Sequence, residues 1–200
     1  MLVEYKYWYF KNAIPKRICK EIVKVAENKT PQIGVTSGYS AEKDLPQLQE
    51  IRDSNVVWLN IPWIYKYINQ YFDIANEKAN WNFRTTVYED AQYTLYNKDQ
   101  FYDWHTDGGE VVNDSDDINF ENTIRKLSCS LLLEDPKNYK GGDFNFKWID
   151  GKNTVEHKAE ELNSVGSLVV FPSFLTHKVS PVTEGTRKSL VIWKVGPTFT

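Results

Sequence analysis

Several features that mark other classes of protein are missing from this sequence of 200 residues. No uninterrupted apolar run approaches the roughly 20 residues that a membrane span needs. Charges in Met1 to Lys6 fall where a signal peptide would have its apolar stretch. The formal net charge of −3 provides no general electrostatic attraction to nucleic acid or to an anionic membrane. We therefore expect a soluble, cytoplasmic protein with no nucleic-acid partner and no membrane partner.

Cysteine is also scarce, and two cysteines cannot form a disulfide framework. Cys19 lies in a helical pattern and Cys129 in a strand pattern, so we predict two reduced, packed thiols. The sequence contains no internal repeat, no low-complexity segment and no linker rich in Pro, Gly or Ser. We predict that residues 1–200 form a single domain.

Two helical patterns dominate the N-terminal region, which we predict to be a helical support over residues 1–80. Pro15 stands at the start of the first pattern. Asn60 is a plausible cap for the second, with Pro62 in its first turn. The segment Thr30–Asp53 between them is polar and contains glycine, and it is interpreted as a long loop that can act as a lid.

Short β-rich runs separated by turn residues follow from about Phe83 onward, and we predict that they form the core of the domain, over about residues 84–196. The runs are Thr85 to Tyr88, Gln92 to Tyr96, Leu127 to Leu133, Asp143 to Ile149, Ser167 to Phe171 and Ser189 to Trp193. Many short strands at this spacing predict a mainly β protein, a sandwich or jelly-roll barrel, buttressed by the N-terminal helices.

The three histidines of the chain suggest a metal site. His105 and Asp107 are two residues apart, so on extended backbone both project to the same side. His177 lies in another β-rich run. Two imidazoles and one carboxylate on neighbouring strands would form a facial triad, which leaves three positions of an octahedral iron(II) open. His157 lies in a charged, hairpin-like segment and is predicted to be a surface residue.

An arginine ten residues after His177 strengthens this interpretation, because a His-x-Asp pair by itself is common. Arg187 opens an alternating run in which Ser189 and Trp193 share its face. A guanidinium beside a hydroxyl suits a terminal carboxylate, which it binds through charge-assisted hydrogen bonds. An inward arginine without such a ligand would be an expensive buried charge.

Taken together, His105-x-Asp107, His177 and Arg187-x-Ser189 resemble the 2-oxoglutarate oxygenase superfamily, specifically its prolyl 4-hydroxylase-like branch. The resemblance extends to Arg52–Trp58, Arg125–Ser128, Tyr139–Phe144 and Gly166–Pro172. It implies a double-stranded β-helix core with iron at the open end. It also implies Fe(II) as the metal, 2-oxoglutarate as co-substrate, O₂ as oxidant and ascorbate as a candidate reductant.

The resemblance assigns the co-substrate to Arg187 and Ser189, with Tyr96 at the position of the tyrosine that hydrogen-bonds 2-oxoglutarate. Members that act on collagen use lysine where Arg187 stands, whereas the oxygen-sensing prolyl hydroxylases use arginine. This difference leaves 2-oxoglutarate binding intact and the substrate open.

The same resemblance suggests substrate contacts. Tyr102, Arg125 and Trp193 match the positions that frame a substrate prolyl ring, and Arg52 lies where related enzymes contact their peptides. The loop over residues 108–123 contains acidic residues and no Lys or Arg, so a basic peptide is attractive as the substrate and the loop is a second candidate lid. We therefore predict hydroxylation of a prolyl residue in a peptide or protein.

Four alternatives remain at this stage. The chain can be a 2-oxoglutarate oxygenase with a different amino-acid or small-molecule substrate, or a zinc hydrolase with the same three ligands. A zinc hydrolase leaves the spacing of Arg187 unexplained. A nucleic-acid demethylase usually has a second arginine where this chain has Trp193. The last alternative is a non-enzymatic jelly-roll binding module.

Overall fold

Strands outnumber helices in the structure, a computed structural model that describes residues 3–36, 39–108, 112, 117 and 120–199. The helices are α1 (Lys16–Glu27), α2 (Leu45–Ile51) and α3 (Pro62–Lys78). The strands are β1 (Trp8–Phe10), β2 (Gln32–Ile33), β3 (Arg52–Asp53), β4 (Asn55–Leu59), β5 (Ala91–Tyr96), β6 (Phe101–His105), β7 (Thr123–Leu132), β8 (Tyr139–Gly141), β9 (Phe144–Asp150), β10 (Asn153–Lys158), β11 (Leu168–Pro172), β12 (Thr176–Val179), β13 (Val182–Gly185) and β14 (Arg187–Pro197).

Two antiparallel sheets form the body of the protein. The larger sheet has seven strands in the order β1-β11-β7-β14-β5-β4-β2, and the smaller has five in the order β10-β9-β12-β6-β3. A buried cluster joins them: Tyr96 and Phe171 of the larger sheet pack with Phe144, Phe146 and Val179 of the smaller. The sheets therefore face each other across a shared core, which confirms the predicted double-stranded β-helix.

Helices α1 and α3 contribute to a second core on the larger sheet. Their buried apolar side chains recur every three or four residues, at Ile18, Cys19, Ile22 and Ala26 in α1 and at Ile64, Ile68, Phe72 and Ala75 in α3. Removing each large side chain of this kind from water contributes roughly 1.5–3 kcal/mol. Both cysteines are buried and free, as predicted. No helix within the described ranges has the length and apolar character needed to cross a bilayer.

Strand β14 belongs to both cores because its side chains alternate between the two faces of the larger sheet. Leu190 and Ile192 are buried in the core that α1 and α3 help to form. Arg187, Ser189 and Trp193 line a cavity on the opposite face. The alternating pattern thus places polar and ring-bearing side chains on the inner face of the sheet.

The expectation of a long loop over Thr30–Asp53 is wrong. Strand β2, helix α2 and strand β3 all lie in this segment. The buried side chain of Leu48 anchors α2, and β3 pairs with β6 in the smaller sheet. The seven residues of α2 are too few to display a helical period, and β3 is defined only by its pairing with a distant strand. The N-terminal region is consequently more than a helical support.

Two smaller expectations also need correction. Asn60 does not cap α3; the cap residue is Ile61, and no side chain hydrogen-bonds there. The predicted strand Thr85 to Tyr88 forms only an isolated bridge, between Tyr88 and Lys194. It meets β14 beyond the residues that pair with β5, and the backbone hydrogen bonds there are Thr86 N to Val195 O, Val195 N to Val87 O and Glu89 N to Trp193 O.

Candidate active site

Strand pairing brings the three proposed metal ligands together. His105 ends β6, and its cross-strand partner in β12 is His177. Asp107 lies in a bend two residues beyond β6 rather than on the strand itself. His105 Nε2 is 3.8 Å from Asp107 Oδ1, and His177 Nε2 is 3.5 Å from Asp107 Oδ2. The ligand atoms lie within 4.8 Å of one another, and no other such cluster occurs among the described residues.

Backbone contacts fix both imidazole rings. The Nδ1 atom of His105 is 2.7 Å from the carbonyl oxygen of Asp103, and that of His177 is 2.9 Å from the carbonyl oxygen of Leu175. A carbonyl oxygen can only accept, so each Nδ1 carries the proton and donates it. The Nε2 lone pairs are therefore directed toward Asp107. Metal-binding histidines are commonly oriented in this way.

The charge state of the cluster also suits a cation. Burial lowers the pKa of His105 to about 3, with His177 adding to the effect, so the ring is neutral. Burial alone would raise the pKa of Asp107, but His177, His105 and Arg125 outweigh it and hold that pKa below its usual range. The Oδ2 atom of Asp107 is buried without a hydrogen-bond partner. A neutral His105, the imidazole of His177 and a carboxylate with an unsatisfied oxygen fit a divalent iron.

Neighbouring side chains hold Asp107 in place. Its backbone N–H donates to the carbonyl oxygen of Ser173 at 2.9 Å, and its own carbonyl accepts from Arg125 Nη1 at 3.2 Å. The Ser128 side chain also helps to hold the pKa of the Asp107 carboxyl low. Arg125 in turn forms a two-pronged ion pair with Glu89, at 2.7 Å from Nε and 2.5 Å from Nη2. The Arg125–Glu89 ion pair thus supports the proposed metal ligand Asp107.

Glu89 is a site residue that sequence reasoning missed. The sequence predicts Arg125 as a substrate contact, whereas the structure also shows it bound to Glu89 and Asp107. Its guanidinium carbon lies 3.9 Å from the ring centre of Trp193. The only sequence signal for Glu89 is an acidic residue just after the β-rich run Thr85 to Tyr88. That signal does not identify a partner 36 residues away.

Replacing Glu89 by glutamine is expected to destabilise the fold and the metal site together. The change removes the carboxylate from a charge-assisted pair, which contributes on the order of 2 kcal/mol to the free energy of unfolding. Urea denaturation measures the loss, and anaerobic Fe(II) titration measures the weakened metal binding. The adjacent, exposed Asp90→Asn serves as control. Equal behaviour of the two variants would contradict a bracing role for Glu89.

A buried arginine occupies another part of the cavity. Arg187 is 2% exposed, and its cross-strand partner is Tyr96. Its Nη1 donates to Ser189 Oγ at 2.9 Å, and its charge acts against the burial that raises the pKa of Tyr139. A Cβ at Gly142 would lie 2.9 Å from Arg187 Cδ, and the φ of +63° at Gly142 suits glycine. No described carboxylate pairs with Arg187, which fits an arginine that awaits an anionic ligand.

Aromatic and basic side chains complete the wall near the metal cluster. The ring of Tyr102 stacks on His105, with centroids 3.4 Å apart, and its hydroxyl lies 2.9 Å from that of Thr36. The guanidinium carbon of Arg52 lies 4.5 Å from the centre of the Tyr102 ring. Tyr102 therefore connects a metal ligand to the segment that contains β2.

Every site residue that the sequence suggests lines one cavity of about 400 Å³. These residues are Arg52, Tyr96, Tyr102, His105, Asp107, Arg125, His177, Arg187, Ser189 and Trp193. Phe144 and Phe171 also line it and pack against His177, with ring centroids 5.4 and 4.7 Å away. Both lie in motifs that the resemblance includes, but the sequence assigns them no role.

His157 lies outside this cavity, on the exposed strand β10, as predicted. Its Nε2 atom is 2.9 Å from the hydroxyl of Tyr7. Most of the acidic loop over 108–123 lies outside the described residues, so its expected role as a lid stays a prediction.

Comparison with known proteins agrees with this geometry. The model of a family described as the 2OG-Fe(II) oxygenase superfamily matches residues 91–194. The chain belongs to this superfamily. The matched range contains all three proposed metal ligands together with Arg187 and Ser189. The superfamily implies Fe(II), 2-oxoglutarate and O₂ as the reacting partners of these side chains.

Individual relatives of this 2OG-Fe(II) oxygenase include a PKHD-type hydroxylase of Aliarcobacter butzleri, which is 32% identical over 99 residues. That alignment covers 46% of this chain and 41% of the relative, so the match spans about two fifths of the relative's length. Among solved structures, a Pseudomonas putida prolyl-4-hydroxylase has a TM-score of 0.64 at 20% identity, covering 98% of this chain and 95% of that one.

A second solved structure shares the fold over a similar extent. It is the viral collagen prolyl hydroxylase of Paramecium Bursaria Chlorella virus-1 in a 2OG complex, with a TM-score of 0.64 at 16% identity. The alignment covers 96% of this chain and 97% of that chain. At this identity the likeness establishes the fold alone.

Proposed function

We propose that this 2OG-Fe(II) oxygenase hydroxylates a prolyl residue in a peptide or protein, with ascorbate as the reductant that keeps the iron active. One observation carries the proposal. A His/Asp/His cluster and a buried arginine–serine pair share a single cavity whose walls include Tyr102 and Trp193. The cluster suits a redox metal, the arginine suits a dicarboxylate, and the aromatic side chains offer surface for a pyrrolidine ring.

The chain's own residues would hold the metal through the Nε2 atoms of His105 and His177 and the carboxylate of Asp107. When bound, iron supplies the chemistry that couples oxidative decarboxylation of 2-oxoglutarate, to succinate and CO₂, with transfer of one oxygen atom of O₂ into a substrate C–H bond. The protein contributes by holding the metal-binding side chains in position. The hydrogen bonds that each Nδ1 donates to a backbone carbonyl keep the two imidazoles aligned without movement of protons.

Arg187 and Ser189 would take the distal carboxylate of 2-oxoglutarate, and Tyr96 lies beside them. A guanidinium that already donates to Ser189 is oriented before the ligand arrives, so little rotamer entropy is lost on binding. This role gives the buried charge of Arg187 a counter-ion. A zinc hydrolase would use the same three ligands but would leave that charge without one.

The proposed substrate rests on Tyr102 and Trp193. Trp193 is held by the guanidinium of Arg125, and Tyr102 is held against His105. Rigid aromatic rings near the proposed metal ligands suit a compact, apolar proline ring. The structural relatives from Pseudomonas putida and the Chlorella virus are both called prolyl hydroxylases, which supports the same class. Preference for a basic peptide is proposed only from the acidic composition of residues 108–123.

Incubation with proline-containing peptides tests the proposal. Enzyme, Fe(II), ascorbate and 2-oxoglutarate are mixed with basic and neutral peptides and with a digest of host protein, and parallel samples omit 2-oxoglutarate. We expect mass spectrometry to locate the gain of one oxygen atom on proline, with matching succinate. Oxygen found only on other residues or on free amino acids would defeat prolyl hydroxylation and leave an oxygenase with a different substrate.

A further inference from the structure

Arg52 is a buried charge that the proposed chemistry does not use. The residue is 4% exposed and lies in the short strand β3. Its Nε donates to Ser54 Oγ at 2.9 Å and its Nη1 to the carbonyl oxygen of Val35 at 2.7 Å. Its Nη2 is buried without a hydrogen-bond partner. A Cβ at Gly34 would lie 2.7 Å from Arg52 Nε, so the guanidinium is tightly enclosed on that side.

The other charges of the cavity have partners. Arg125 is paired with Glu89. Under the proposed function, Arg187 is paired with the distal carboxylate of 2-oxoglutarate, and Asp107 and the other carboxylate offset the charge of Fe(II). No carboxylate among the described residues forms an ion pair with Arg52. The carboxylate of the neighbouring Asp53 accepts a hydrogen bond from Gln100 instead. Among the described residues, one positive charge therefore remains uncompensated in the assembled site.

This charge lies close to the reacting end of the cavity. Its guanidinium carbon is 4.5 Å from the ring centre of Tyr102, which stacks on the metal ligand His105. Burial raises the pKa of Tyr96, and the charges of Arg52 and Arg187 both act against that rise. Arg52 is consequently near the co-substrate region as well as the metal cluster, where a substrate must approach.

A second buried donor in this cavity also lacks an acceptor. The indole Nε1 of Trp193, on the wall of this cavity, also has no hydrogen-bond partner. Buried donors without acceptors destabilise a protein, and charged ones do so most. A ligand rich in acceptor oxygens would satisfy both donors. Among such ligands, only an anion also neutralises the guanidinium.

We propose that the substrate presents a carboxylate beside the residue to be hydroxylated and that Arg52 forms an ion pair with it. The inference rests on the proposed prolyl hydroxylation. The carboxylate can come from an Asp or Glu side chain next to the proline or from the end of a chain that terminates in proline. A purely structural role does not need a positive charge, since an uncharged donor can also hydrogen-bond to Val35 and Ser54.

Paired peptides test this recognition in a binding measurement. One set has Asp before or after a central proline and has blocked ends. Each of these peptides has a matched control, its twin, in which Asn replaces the Asp. A second set ends at proline as the free acid or as the amide. Each is titrated calorimetrically into enzyme that contains Mn(II) and 2-oxoglutarate without O₂, so turnover does not interfere. The variants are Arg52→Gln and, as control, Arg17→Gln on the exposed face of α1.

We expect at least one carboxylate peptide to bind the unaltered enzyme about tenfold or more tightly than its twin, equivalent to about 1.4 kcal/mol. Arg52→Gln should abolish that ratio and Arg17→Gln should keep it. A ratio is informative even if Arg52→Gln loosens the fold, because loosening weakens both twins alike. The peptide set that shows the preference identifies the source of the carboxylate.

Four results would overturn the inference. Equal binding of all twins to the unaltered enzyme would make Arg52 structural, and prolyl hydroxylation would still stand if the peptides gain oxygen. If the Arg52→Gln variant kept the preference, another residue would be the one that binds the carboxylate. Weaker 2-oxoglutarate binding in Arg52→Gln with no peptide preference would assign the guanidinium to the co-substrate. If no prolyl peptide binds or reacts, the inference falls together with the proposed substrate.

Discussion

Replacement of His105 or His177 by alanine is expected to abolish turnover and to weaken Fe(II) binding by more than about 100-fold. Loss of a residue that merely orients a metal ligand costs about 10–100-fold in affinity or activity, so loss of a ligand should cost more. The measurement is anaerobic titration with Fe(II), followed by 2-oxoglutarate consumption in air. Urea denaturation of the same variants separates loss of the metal from loss of the fold.

His157→Ala is the matched control, because the residue is the third histidine of the chain and lies on an exposed strand. It should retain both Fe(II) affinity and turnover. If His157→Ala proved as damaging as His105→Ala, the assignment of the ligands would be wrong.

Arg187→Ala should separate the co-substrate from the metal. Fe(II) affinity should stay nearly unchanged, since the side chain does not belong to the ligand cluster. The 2-oxoglutarate requirement should rise by orders of magnitude, because loss of a charged pair in a shielded site costs about 2–5 kcal/mol. The metal-to-ligand charge-transfer absorption of the Fe(II)–2-oxoglutarate complex, followed without O₂, reports this binding directly.

Arg187→Lys and Arg84→Ala complete the experiment. The lysine keeps the charge but loses the two-pronged geometry, so it should restore part of the binding. The exposed Arg84 tests the effect of simply removing a positive charge from the protein. An unchanged 2-oxoglutarate requirement in Arg187→Ala would refute the assigned role.

The sequence predicts those parts of the site that depend on local pattern. The two-residue period of β14 places Arg187, Ser189 and Trp193 on one face without knowledge of the neighbouring strands. The spacing of His105 and Asp107 similarly places two ligands near each other. For these residues, the information lies within a few positions of the chain.

The sequence does not predict contacts that depend on register between distant strands. His105 faces His177 only because β6 pairs with β12, and neither the pairing nor its irregularity has a local signal. Glu89 meets Arg125 for the same reason, through the arrangement of β7, β14 and the segment before β5. Strand β3, two residues long, exists only because β6 offers backbone partners. Tertiary structure alone defines such features.

The two-sided character of β14 restricts how this protein can change. A single inserted residue would move every side chain beyond it to the opposite face, since strands alternate with a period of two. An insertion just before Arg187 would send the guanidinium toward the helices and place Leu190 in the cavity, removing co-substrate recognition and core packing in one step. The turn between β9 and β10 is exposed, and a Cβ at Gly151 would meet no other atom within 4 Å. Extra residues there would displace no packed side chain, although the φ of +60° favours glycine at position 151 itself. Length variation among homologues, and sites for inserted tags or domains, should therefore occur at that turn and be excluded from β14.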